Sequence, residues 1–155
     1  MIVEREIEET LIDKLRGALQ EREIVVPRTT GAWSVANDGE VKGRDEGESV
    51  AMSVAVGLRS YDSFQTATAD FPCGLVLAIS RDACPTGAAI AEYIEPLMDK
   101  LHRWNADEEA VFNDLETEHF HPAGFQLADG DGPEYDKSTG AWTITLLFNL
   151  KGRVD

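Results

Sequence analysis

The sequence predicts an α+β fold in two layers, a mostly antiparallel sheet of four to five strands with two or three helices packed on one face. Two observations carry this. From Ala141 to Lys151 the side chains alternate without a break: Trp142, Ile144, Leu146, Phe148 and Leu150 fall on one side, and Thr143, Thr145, Asn149 and Lys151 on the other, with only Leu147 apolar there. A period of two sustained over such a length marks a half-buried strand. The alternation recurs in Val50, Met52, Val54, Val56 and Leu58, and again in Phe71, Cys73, Leu75, Leu77 and Ile79, so three strands present apolar faces to one core. Elsewhere apolar residues step by three and four, the spacing of helices that could cover that face. At 155 residues the chain suits one domain, residues 1–155, able to bury roughly two thirds of its unfolded surface without a disulfide or metal staple.

Taken in order, Val3 to Gln20 reads as an amphipathic helix with Ile7, Leu11, Leu15, Ala18 and Leu19 inward. Glu4, Glu6, Glu8 and Glu9 crowd its first turns, where the macrodipole favours acids. Residues 23–27 read as a short strand closed by Pro27, and residues 28–49, with four glycines among mixed charges, as a flexible polar loop. Trp33 is that loop's large anchor, and two placements fit it: against the body, or against another subunit. The second strand runs from about Glu48 to Arg59, Tyr61-Asp62-Ser63 turns the chain, and the third runs from Phe71 to Arg81. Thr86 reads as the N-cap of a helix burying Ile90, Ile94, Leu97, Leu101 and Trp104, with Pro96 removing one backbone bond. A cap at Asn105-Ala106-Asp107 opens a short helix through Leu115. A fourth strand from Glu118 to Leu127, a turn at Asp129-Gly130-Asp131-Gly132-Pro133 and the final strand complete the order.

Composition excludes several classes. Net charge is −15, from 29 acids and 14 bases, and residues 104–136 hold ten carboxylates with no Lys or Arg. Such a surface repels a phosphate backbone, so direct nucleic-acid binding is not expected. The acids form either a solvated face or one matched to a basic partner. No apolar run approaches the ~20 residues that cross a bilayer, and no secretory leader is legible, which predicts a soluble cytoplasmic protein. Cys73 on a strand's apolar face and Cys84 before a helix read as two reduced thiols.

No catalytic motif stands out. His119-x-His121 places two imidazoles on one side of a strand, with Glu116 or Glu118 as a third metal ligand. The competing reading has Phe120 facing the core and both histidines turned to solvent. Asp129-x-Asp131-Gly132 shares only its first residues with a calcium loop, and Pro133 stands where another oxygen ligand belongs. His102, one turn from Asp99, reads as half of a surface pair. No cofactor, metal or catalytic residue is expected.

The order of elements, closed by Tyr135-Asp136-x-x-x-Gly140-x-Trp142-x-Ile144-x-Leu146-x-Phe148-x-Leu150-x-Gly152, resembles the tail-terminator and minor tail proteins of long-tailed phages and prophages. The resemblance implies a structural role rather than an enzyme: a homo-oligomeric ring, commonly of six subunits, that caps the tail tube and meets the head connector. It implies tail-tube and head-connector proteins as partners, and a place in the host cytoplasm and then in the virion tail. The loop at 28–49 would face the ring lumen or a neighbour, and the region 105–136 would lie at a ring or connector contact. The candidate interaction residues are Trp33, Asp107, Glu108, Glu109, Asp129, Asp131 and Glu134. Two other readings stand beside this one: a small metal-dependent hydrolase using His119, His121 and a carboxylate, and an acidic monomeric binding module for a basic partner.

Overall fold

The computed structural model describes residues 2–24, 28–31, 33, 50–80, 86, 90–138 and 140–155. Within them the chain runs through α1 (Val3–Gln20), β1 (Arg28–Gly31), β2 (Val50–Val56), β3 (Ser60–Ser63), β4 (Thr68–Ser80), α2 (Ala91–Ala106), α3 (Glu108–Leu115), β5 (Phe120–Asp136) and β6 (Ala141–Val154). The strands form one open six-stranded sheet in the order β1-β2-β4-β6-β5, with β3 also paired to β4. β1 runs parallel to β2, and the other pairings are antiparallel. The fold is therefore α+β, with one strand more than the sequence suggests.

β4 lies at the centre because its alternation is the longest and cleanest. Ala69, Phe71, Cys73, Leu75, Leu77 and Ile79 are buried in succession. Register sets Leu77 between Met52 and Ile144, and Leu75 between Val54 and Leu146, so the three strands stack their apolar residues in rows. The helices cover this face alone. α1 packs over β1 and β2 through Ile7, Leu11, Leu15 and Leu19, while α2 and α3 pack over β5. Trp104, Phe125 and Phe148 tie α2 to the sheet, with ring centroids 5.6 and 5.1 Å apart in turn.

Several local expectations give way to pairing between distant residues. The first strand is Arg28–Gly31, inside the stretch read as loop; four residues are too few to show a period, and parallel bonding to β2 supplies their order. Glu21–Glu23 form a turn with Glu23 at φ 61°, where Ile24 donates its N–H to Leu19; Val25–Pro27 and 34–49 lie outside the described residues. Tyr61–Ser63 is strand rather than turn, because the chain bends at Phe64–Ala67 instead. Leu58 is 75% exposed: β2 ends at Val56, and the alternation does not carry past Gly57, whose N–H is bonded to Pro72. The first residue of α2 is Ala91, and Ile90 at its cap makes no side-chain bond, so Thr86 stands upstream of the helix. Cys84 and Arg81 are outside the described residues.

The largest correction concerns Asp129–Pro133, which is part of β5 and not a turn. From Ala128 to Asp131 and from Asp131 to Glu134, β5 advances three residues while β6 advances two, so each interval carries a bulge. Pro133 is tolerated because β5 is an edge strand with one side unpaired. The hairpin turns later, between Asp136 and Ala141, where Gly140 adopts φ +68°.

Phe148 is 1% exposed and stacks on Phe125, whereas Thr145 is only partly buried on the opposite side of β6. Phe148→Ala is therefore expected to lose about 3–5 kcal/mol of stability and Thr145→Ala far less. Denaturant midpoints check this, and equal midpoints would show that the faces are reversed.

Candidate interaction surface

The first half of α1 carries three acids that bind other elements rather than water. Positions 4 and 8 flank the stripe of Val3, Ile7 and Leu11, so Glu4 and Glu8 turn inward and are 4% and 0% exposed. Arg59 grips Glu4 with both ends of its guanidinium, Nε to Oε1 at 2.6 Å and Nη2 to Oε2 at 2.9 Å, while lying 5.9 Å over the Phe71 ring. Glu8 accepts the Trp33 backbone N–H at 2.9 Å. Gly31 makes that approach possible, since a Cβ there would overlap the Glu8 carboxylate. Glu6 accepts the backbone N–H of His119 and meets its Nδ1, both at 3.1 Å.

Burial pushes the Glu4 carboxyl up, but the Arg59 guanidinium and backbone bonding outweigh it, and its pKa ends below the ordinary value of 4.5. Glu6 is also lowered: burial raises it, and bonds from Thr117 and His119 more than offset that.

Trp33 is seated against the body. Arg5 donates to its carbonyl at 3.0 Å and its ring N–H donates to the Val56 carbonyl, so the indole closes over the end of β2. The other candidate residues gather at the opposite edge of the sheet. Asp107 caps α3, accepting from the N–H groups of Glu109 and Ala110 at 3.0 and 3.4 Å, which leaves Glu108 and Glu109 exposed in the first turn. Asn105 accepts the Leu127 N–H at 2.8 Å, bringing this corner against β5 just before its acidic stretch. Glu134 is exposed there; Asp129 and Asp131 belong to the β5 backbone, and their side chains lie outside the described residues. Three of the acids in residues 104–136 hold the fold instead of forming a free face: Asp107 as cap, Asp114 accepting from the Trp104 ring N–H at 2.8 Å, and Glu116 beside His121.

The histidines are drawn to different acids. Phe120 is fully buried, edge-on to Phe71, so His119 and His121 flank the core. His121 meets Asp155 at 2.6 Å and Glu116 at 3.1 Å, while His119 stays with Glu6. Asp155 and then Glu116 hold the His121 pKa above 6.5. Among the described residues no group of three His, Cys, Asp or Glu side chains is placed to hold a metal ion. Cys73 is buried, which pushes its thiol up to about 12, far from nucleophilic at neutral pH.

Two surfaces escape sequence reasoning. The centre of the sheet face away from the helices carries Ala51, Ser53 and Ala55 on β2, Gly74, Val76 and Ala78 on β4, and Thr143, Thr145 and Leu147 on β6, with no charge among them; the pair Asp70 and Lys151 bounds it at one end, and Glu134 on β5 lies opposite Thr143. Val76 and Leu147 are 38% and 44% exposed at its centre. Leu147, the one apolar residue on the polar side of β6, is the signal the sequence holds for it. The second surface is the β3–β4 bend, where Leu58 and Phe64 are 75% and 84% exposed and Tyr61 stacks on Phe64 at 5.2 Å. Two rings amid Asp62, Ser63, Gln65 and Thr66 are its trace in the sequence.

No protein-family model matches the chain, and no curated protein does. Among solved structures it is similar to a chain of the virion of a native gene transfer agent particle, with a TM-score of 0.51 and 13% identity over 89% of this chain and 83% of that chain. The two share a fold along nearly their whole lengths.

Glu4→Gln leaves Arg59 partly buried without its counter-charge and is expected to cost about 1–3 kcal/mol at neutral pH. A carboxyl whose folded pKa is depressed stabilises fully above its unfolded value, and that stability fades as pH falls through the folded value. Wild type therefore loses stability more steeply than Glu4→Gln below about pH 4.5. Denaturant midpoints from neutral pH downward read the difference; parallel curves would mean the ion pair does not hold α1.

Proposed function

We propose that this protein is a structural component of a phage-like particle, a tail terminator or minor tail protein that acts by assembling into a ring at the end of the tail tube. The carrying observation is the fold shared along most of both chains with a component of a gene transfer agent virion. The surface chemistry agrees with it. An exposed aromatic bend and an uncharged sheet face suit contact with other proteins better than turnover of a small molecule. The histidines are engaged by acids that fix α1, β5 and Asp155 to one another, which gives them a structural role. On this reading the partners are further copies of the chain, the tail-tube protein and the head connector. The exposed acids Glu108, Glu109 and Glu134 are the surface offered to a basic partner, and Trp33 braces the body that presents it.

Association among copies must overcome a charge of −15 on each. That repulsion is screened over ~8–10 Å near physiological salt, so self-association is expected to strengthen as salt rises. Light scattering across protein and salt concentrations, with and without the cognate tail-tube protein, tests the proposal. A chain that stays monomeric throughout and ignores the tube protein would contradict it.

A further inference from the structure

We propose that the subunits join head to tail, the aromatic β3–β4 bend of one copy docking on the uncharged open sheet face of the next. This rests on the assembly reading above and assigns the two surfaces that make the contact. Phe64 and Leu58 are the most exposed large apolar side chains among the described residues, and Tyr61 props the Phe64 ring from behind. Such a protruding aromatic is the usual anchor of a protein contact, since it buries a large area for little conformational entropy.

The partner surface follows from charge and shape. A second copy brings another fifteen negative charges, so two copies approach most easily through areas that carry none. The centre of the open face is such an area. Its row Ala55–Gly74–Leu147 sets two small residues beside one apolar side chain, a shallow seat for a ring. The bend cannot reach its own seat. Val76 lies eight residues along β4 from Thr68, where the bend rejoins the sheet, about 27 Å away at the strand rise. Convex and flat surfaces thus occupy different places on one subunit, which makes the contact heterologous, the kind that closes into a ring when the rotation permits.

Area supports closure over pairing. Three strands at about 4.8 Å spacing and five residues, about 17 Å, in length present roughly 250 Å², about a third of the ~800 Å² that each side of a stable interface supplies. A subunit in a closed ring uses its bend toward one neighbour and its face toward the other, so each subunit makes two such contacts. An isolated pair makes one contact and is weak.

The test pairs two surface substitutions, neither of them in the core. Phe64→Asp disables the bend and spares the face; Leu147→Glu disables the face and spares the bend. Each variant alone is expected to keep the wild-type melting temperature and to lose at least about tenfold in self-association by sedimentation velocity. Mixed, they are expected to form a 1:1 dimer that grows no further, because one intact bend meets one intact face. A mixture that remains monomeric at concentrations well above those at which wild type assembles, or either variant assembling like wild type, overturns the inference and leaves the assembly reading standing. Wild type that remains monomeric at every concentration and salt, with the tail-tube protein and without it, overturns both. Partition of wild type, but not Phe64→Asp, onto phosphatidylcholine–phosphatidylglycerol vesicles would assign the bend to a membrane instead.

Discussion

The two-sidedness of β4 is the constraint on which the rest of the molecule depends. Its inner residues are buried from Ala69 to Ile79 at every second position, and β2 and β6 copy the alternation at matched register on either side. Each large side chain buried this way contributes about 1.5–3 kcal/mol, and nothing local in a strand could replace that term. A one-residue slip of β6 against β4 would carry Phe148 and Leu150 to the open face and Leu147 into the core. Register, helix placement and the identity of the outer face are thus fixed together.

Covering one face leaves the other bare. The helices need the apolar side, and α1 is locked over it by Glu4, Glu6 and Glu8, each bonded to a segment far away in sequence. These carboxylates couple the N-terminal helix to the β2–β3 connection, the start of β5 and Trp33. Among the described residues the outer face receives no such cover, and its centre is uncharged in a protein rich in acids. Ten of the 29 acids fall in residues 104–136, around α3 and along β5, where bulges and Pro133 also discourage indiscriminate strand pairing. The molecule therefore separates a surface that repels from one that can be covered.

How much of this the sequence discloses depends on the range of the interaction. The alternation of β4, the inward stripe of α1 and a cap at residues 105–107 ahead of α3 are local patterns, and each appears as read. What escapes is set by partners distant in the chain. β1 has four residues and exists through parallel pairing; β5 runs past its glycines because β6 continues to bond it; Glu4 and Glu8 look like ordinary first-turn acids until Arg59 and Trp33 arrive. The open face is hardest to see, because small and hydroxyl residues look solvated one strand at a time. Only the pairing of β2, β4 and β6 shows that no charge interrupts its centre.

The β2–β4–β6 ladder is the organising unit, with β5 beyond Ala128 and the short edge strand β1 added to it. Native-state hydrogen exchange resolved by residue tests this most directly. The ladder amides of β4 and β6 between Cys73 and Ile79 and between Trp142 and Phe148 are predicted to exchange only through global unfolding, while β5 beyond Ala128 and the short β1 open locally and exchange faster. Local opening of β4 while the β5 arm remains protected would contradict the account.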